Sequence, residues 1–283
     1  MKNNKRKVDI LVISDIHLGT YGCHAKELLR YLKSIHPKIV VLNGDIIDVW
    51  QFSKNFWPNS HMKIVKHLLG WLSKGIKTYY ITGNHDELLR KFVGFKMGSL
   101  QIVNKVVLDL PDNKKAWIFH GDVFDVTMQH SKWLAKLGSA GYEMLILINY
   151  FANFISEKIF HRGKISFSKN IKKSVKSAVK FINNFEQTAA DIGISKHYDF
   201  VICGHIHQPE MRVLSNALGS ITYLNSGDWI ENLTALEYAN NEWKIYHYTP
   251  GEFVNDVEEV DESEFNNYQL FDKMVQEFNA MQQ

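Results

Sequence analysis

Val8-Asp9-Ile10-Leu11-Val12-Ile13-Ser14-Asp15-Ile16-His17 is the stretch on which the architecture turns. Six residues, Val8–Ile13, are apolar but for Asp9 and rich in β-branched side chains, and they stop at a polar cluster, which predicts a buried strand running into a loop. Ala25–Ile35 follows with apolar residues at helical spacing, then Ile39–Asn43, a second helical segment at His61–Lys74, and Thr78–Thr82. This βαβαβ alternation predicts parallel strands with helices packed on them. Lys105–Leu110 and Ala116–His120 read as two more strands around a turn at Pro111-Asp112-Asn113.

From Thr127 to Ile192 the strand signal disappears. Trp133–Leu137, Glu143–Phe160 and Ile171–Ala190 have helical patterning, so residues 127–192 are expected to form a helical insertion. Beyond it lie Phe200–Cys203, Met211–Leu214, Ile221–Leu224, Thr234–Tyr238 and Trp243–Tyr248, all short and separated by Gly, Asn and Ser. They predict a second, mostly antiparallel sheet. Residues 1–250 are expected to form one domain, and 251–283 an acidic tail with one short helix near Tyr268–Phe278.

A chain of 283 residues that is 45% hydrophobic can bury a full core without covalent staples. Its two cysteines, Cys23 and Cys203, fit a reducing, cytoplasmic setting. No signal-peptide pattern opens the sequence, and no apolar run reaches the roughly 18 residues of a membrane span. Charge is nearly balanced overall, 33 basic residues against 30 acidic, yet unevenly distributed. Lys158–Lys180 holds bases and no acid, whereas Glu252–Glu264 holds seven acids and no base. The basic block lacks the interleaved aromatics that stack single strands, so no nucleic-acid partner is expected.

Five polar clusters each sit where a strand is expected to end. They are Asp15-Ile16-His17, Gly44-Asp45 with Asp48, Gly83-Asn84-His85-Asp86, His120-Gly121-Asp122 and Gly204-His205-Ile206-His207. In a layered α/β fold the loops at the carboxyl ends of parallel strands converge on one crevice. Converging carboxylates repel unless cations lie between them, and the mixed oxygen and nitrogen donors suit Mn, Fe or Zn. Asp45 is the natural bridge between two ions, and Asn84 adds a neutral oxygen. A cation pair in such a site activates water and clamps phosphoryl oxygens, so no covalent nucleophile is needed. His85 is free to act as general acid, with Asp86 expected to orient it. Asp48 and Asp122 read as structural, capping loops or bonding the ligand histidines. His24, His61, His67 and His130 read as ordinary surface or core residues.

Asp-X-His, Gly-Asp-X-X-Asp, Gly-Asn-His-Asp, His-Gly-Asp and Gly-His-X-His, in that order, resemble the calcineurin-like metallophosphoesterase superfamily. One such motif is an ordinary strand end; five in sequence are specific. The resemblance implies a four-layer αββα sandwich of two mixed sheets. It implies one ion on Asp15, His17, Asp45 and His207, and a second on Asp45, Asn84, His120 and His205, with Mn2+ the expected metal. The insertion, Gly204–Pro209 and Leu224-Asn225-Ser226-Gly227-Asp228-Trp229 further resemble bacterial UDP-2,3-diacylglucosamine diphosphatases of lipid A synthesis. That resemblance implies a lipid-linked nucleotide diphosphate as substrate, a lipid monophosphate and UMP as products, and an insertion acting as a lid. Lys173 and Lys176 are the implied substrate contacts. Two positions depart from that branch: His85 stands where it commonly has Arg, and Asp48 where Glu is usual.

Met144–Ile155 is apolar around nearly its whole helical circumference. It reads either as a helix buried in the insertion or as a greasy surface that rests on the cytoplasmic face of the inner membrane, drawn there by the neighbouring bases. A soluble phosphodiesterase or protein phosphatase is the alternative enzymatic reading, and a non-catalytic scaffold of the same fold is a third.

Overall fold

The computed structural model describes residues 5–49, 56–124 and 168–252. Met144–Ile155, the first two expected helices of the insertion and the acidic tail lie outside the described residues. The elements are β1 (Arg6–Ile13), α1 (Ala25–Ser34), β2 (Ile35–Asn43), α2 (Asn59–Ser73), β3 (Lys77–Ile81), β4 (Lys96–Met97), β5 (Leu100–Val103), β6 (Lys105–Asp109), β7 (Lys115–Phe119), α3 (Ser168–Ser195), β8 (Phe200–Cys203), β9 (Glu210–Asn216), β10 (Gly219–Asn225), β11 (Thr234–Ala239) and β12 (Glu242–His247).

Two mixed sheets result. One has seven strands in the order β12-β11-β1-β2-β3-β5-β4, and the other five in the order β6-β7-β8-β10-β9. β1, β2 and β3 run parallel, as the opening alternation predicts, and β5 adds a further parallel strand beside β3. In the second sheet β7-β8 and β8-β10 are parallel while β6-β7 and β9-β10 are antiparallel. The expectation of a mostly antiparallel second sheet therefore needs correcting. β11 and β12 leave that sheet altogether: β11 pairs antiparallel with β1, placing Tyr238 opposite Ile10 and Leu236 opposite Val12. β4 and β5 were not expected from the sequence.

Side-chain alternation explains the layering. Leu11 and Ile13 of β1 point to α1 and α2, while Ile10 and Val12 point to the second sheet. Ala116 and Ile118 of β7 face that same interface, and Trp117 and Phe119 face α3. Three apolar layers thus separate helices, sheet, sheet and helix. On α1, Leu28, Leu29 and Leu32 fill the first of them at helical spacing. Each such fully buried leucine contributes about 1.5–3 kcal/mol of hydrophobic stabilisation. Among the described residues no helix is long and apolar enough to cross a membrane.

His67 on α2 sets an acid sensitivity. Burial first, then the nearby Lys5 charge, hold its pKa down at about 4. Above pH 6.5 the ring is neutral in both the folded and the unfolded chain. As pH falls from 6.5 toward 4, only the unfolded chain takes up the proton, so stability drops within that window. The ring is partly exposed and solvent screens the difference, leaving about 1–2 kcal/mol. His67→Gln should flatten that share of the fall in melting temperature, read as the difference between parent and variant curves over pH 4–7.

Candidate metal centre

Strand ends build the site. β1 delivers Asp15 and His17, β2 delivers Asp45 and Asp48, and β3 delivers Asn84, His85 and Asp86. From the second sheet β7 delivers His120, and β8 delivers His205 and His207. All five strands end at the same edge of the sandwich. Backbone bonds lock the loops together: Asp15 N–H donates to Gly44 O at 3.1 Å and His17 N–H to Asp45 O at 3.0 Å. Across the sheets, His205 N–H donates to Asp15 Oδ2 at 3.1 Å.

Three groups have donor atoms within 4.8 Å of one another among the described residues: His17-Asp48-His85, and two triads made only of expected ligands, Asp15-His17-His207 and Asp45-His120-His205. His207 Nε2 lies 3.2 Å from Asp15 Oδ1, and His120 Nε2 lies 3.2 Å from Asp45 Oδ2. Asn84 sits beside the second triad, since His85 N–H donates to Asp45 Oδ1 at 2.9 Å and Gly83 backs directly onto Asp45. The expected ligand residues Asp15, His17, Asp45, Asn84, His120, His205 and His207 are therefore brought together. Lys173 and Lys176 lie on α3, and their side chains are outside the described residues.

The donors are prepared for cations. Asp15 Oδ1 and His120 Nε2 meet only the ion-pair partners just named, and His17 Nε2 and Asn84 Oδ1 are buried without a hydrogen-bond partner among the described residues. Such atoms cost about 1–3 kcal/mol each unless something coordinates them. The ring orientations agree. His120 Nδ1 lies 2.8 Å from Asn43 O, which can only accept, so the neutral ring carries its proton there and keeps a lone pair on Nε2. The oxygen and imidazole donor set fits divalent metal ions.

The electrostatics are tightly balanced. Burial pushes the Asp45 carboxyl up, but His120, with His17 and His85 around it, overrides burial and holds it well below the usual carboxylate range. Burial likewise lowers His207, yet Asp15 prevails and raises it to about 9. Divalent ions displace such imidazole protons, so metal binding is expected to strengthen as pH rises.

Backbone strain concentrates here. Asp15, His17, Asp45, His205 and His207 all occupy the left-handed region, with φ of 51°, 52°, 53°, 66° and 53°. That conformation costs a non-glycine residue about 1–2 kcal/mol. Two glycines permit the crowding. A Cβ on Gly44 would lie 2.3 Å from His120 Nδ1, and one on Gly83 would lie 2.2 Å from Asp45 Oδ1.

One expected role moves to another residue. Asp86 does not orient His85: its carboxylate accepts from Ile46 N, Tyr80 Oη and Gly83 N at 3.1, 2.7 and 2.6 Å. It is a brace for the loops beneath Asp45. Asp48 takes the orienting place, with Oδ2 2.8 Å from His85 Nδ1 and 3.3 Å from His17 Nδ1. Burial opposes its charge, but the two imidazoles hold its pKa well below the ordinary value.

Sequence reasoning also missed a sixth strand end. The loop after β10 carries Asp228, whose Oδ1 accepts from the backbone N–H groups of Ile230, Glu231 and Asn232. Its Oδ2 accepts from Asn232 Nδ2 and lies 3.7 Å from His207 Nδ1. Asn232 Nδ2 also donates to His207 O at 2.8 Å, and Trp229 N–H donates to Asp15 O at 3.1 Å. A buried carboxylate in a Gly-Asp-Trp run was the available signal. His61, read as an ordinary residue, accepts the Gly19 N–H at 3.0 Å and fixes the loop just past His17. Asp228→Ala should weaken metal affinity about 10–100-fold, measured by metal titration of the purified protein.

A family model described as Calcineurin-like phosphoesterase matches residues 8–209, the span holding both triads. The chain belongs to the calcineurin-like phosphoesterases. As one of them it is a metal-dependent hydrolase of phosphoester bonds. UDP-2,3-diacylglucosamine hydrolase of Blochmanniella pennsylvanica is 27% identical over 214 residues, covering 71% of this chain and 80% of that protein. The protein of the same name from Aliivibrio fischeri is 26% identical over 250 residues, covering 86% of this chain and 99% of that one. Among solved structures, a dimetal phosphatase from Danio rerio shares 10% identity over 84% of this chain and 95% of that one, at a TM-score of 0.39.

Proposed function

We propose that this phosphoesterase hydrolyses the diphosphate of UDP-2,3-diacylglucosamine, or of a closely related lipid-linked nucleotide, to a lipid monophosphate and UMP. The paired triads around Asp15 and Asp45 carry the reaction class, since two cations there would clamp the attacking and leaving oxygens of one phosphoryl group. The relatives named UDP-2,3-diacylglucosamine hydrolase support the substrate. Asp15, His17, Asp45 and His207 would hold one ion, and Asp45, Asn84, His120 and His205 the other, with Mn2+ proposed ahead of Fe or Zn. When bound, the ions supply positive charge against the phosphoryl oxygens and lower the pKa of the attacking water.

The chain's own residues do the rest. Asp48 holds His85 Nδ1–H, fixing the ring so that its other nitrogen can present a proton to the leaving oxygen. Burial opposes the charged ring, but the Asp48 contact together with the Asp45 and Asp15 charges outweighs it and raises the His85 pKa above its ordinary value, which favours the acid form. Lys173 and Lys176 are the proposed substrate contacts. A cytoplasmic protein resting peripherally on the inner membrane fits a substrate with two acyl chains. His85 and Asp48, which match the wider superfamily, favour the second reading, a soluble phosphodiesterase or protein phosphatase.

Incubating the purified full chain and Mn2+ with UDP-2,3-diacylglucosamine separates the two. Release of UMP much faster than cleavage of a generic aryl phosphate ester is expected. Aryl ester cleavage with no UMP release would leave the second reading standing.

A further inference from the structure

The described surface carries its densest apolar exposure immediately beyond the candidate metal centre. Leu88, Phe92, Val93, Phe95 and Met97 lie within eleven residues of Asp86, and Phe92 and Phe95 remain 56% and 49% exposed. Residues 91–98 are all exposed. The display is held firmly rather than frayed: Gly94 N–H donates to Ile102 O at 2.9 Å, Ile102 N–H to Phe95 O at 3.0 Å and Phe95 N–H to Phe92 O at 2.9 Å. β4, which ends the segment, is an edge strand paired to β5 alone.

Charge on this loop has one sign. From Leu88 to Leu108 the sequence contains Arg90, Lys91, Lys96 and Lys105 and no acid. Arg90 is spent on Asp122, which ties the loop to the one that carries His120. Lys91 and Lys96 are exposed among the apolar side chains. Five exposed large apolar side chains within ten residues mark an interaction surface rather than ordinary scatter.

We propose that this loop docks the protein on an anionic lipid bilayer, with Phe92 and Phe95 entering the interfacial layer. The inference deepens the lipid-substrate reading and rests on it for its purpose: docking would bring the mouth beside His85 to the membrane surface. Charge complementarity selects the occupant. Lys91 and Lys96 extend apolar stems along the patch and present ammonium groups to lipid phosphates. A symmetric second copy would instead set the same cations against themselves.

Co-sedimentation of the metal-loaded full chain with vesicles tests this. The parent is expected to bind phosphatidylcholine vesicles containing phosphatidylglycerol, and pure phosphatidylcholine at least about tenfold less. The double substitutions Phe92→Ser with Phe95→Ser, and Lys91→Glu with Lys96→Glu, should each lower partitioning about tenfold or more while cleavage of a water-soluble aryl ester stays at the parent rate. Partitioning that survives both pairs, or is equal on the two vesicle types, overturns the assignment of this face. So does a parent that binds neither vesicle but self-associates through these residues in sedimentation velocity. UMP release from detergent-dispersed substrate is scored separately, so the substrate reading can stand when this one falls.

Discussion

Asp45→Asn is expected to reduce kcat about a thousandfold, the scale on which one preorganised charge-stabilising group acts. Asp45 is fully enclosed, meets His120 at 3.2 Å and accepts the His85 backbone N–H at 2.9 Å. As the proposed bridge it is the one residue shared by both proposed ion sites. Asparagine keeps the shape and removes the charge, so the loops should hold while the donor set loses its shared anion. Elemental analysis should find bound metal falling together with turnover. Parent-level turnover in the variant would refute the bridging role.

His85→Gln should cost about 10²–10⁴ in rate on substrates with alkyl or phosphate leaving groups and far less on a nitrophenyl ester, which departs without a proton. The pH dependence gives a second signature. A general acid works while protonated, so the parent rate on alkyl esters falls as pH rises through the raised His85 pKa. The glutamine variant should lack that alkaline limb. Asp48→Asn should move the limb to lower pH, because the carboxylate that favours the protonated ring is gone. Equal losses on both leaving-group classes would remove His85 from proton transfer.

Local pattern made the first half of the fold legible. β1, β2 and β3 announce themselves because buried parallel strands need continuous apolar runs, and α1 and α2 because one face alone is apolar. Strand allegiance was harder to read. Ile221–Leu224 and Thr234–Tyr238 look alike as sequences, yet the first joins β8 and the second returns to β1. Glu237 is the residue that tells them apart. Arg6 pairs with it across the sheet, and Tyr31 Oη donates to it at 2.7 Å. An acid inside an apolar strand demands such partners, but the sequence does not say where they stand.

The site followed the same division. Residue type and order brought seven donors into view, because loops at parallel strand ends converge wherever the strands are. Orientation did not follow from adjacency. Asp86 neighbours His85 in sequence and faces away from it, whereas Asp48, from another strand, supplies the contact. Asp228 and Asn232 stayed hidden because their work is done on His207 from a loop that only tertiary structure delivers.

The left-handed backbone at Asp15, His17, Asp45, His205 and His207 has a consequence for directed evolution. Glycine or asparagine would sit more comfortably at each of these positions, so heat tolerance and turnover pull the same five codons in opposite directions. A library screened for thermal survival alone, without metal in the medium, should drift toward a sturdier and inert protein, with its earliest changes at the residues that matter most for chemistry.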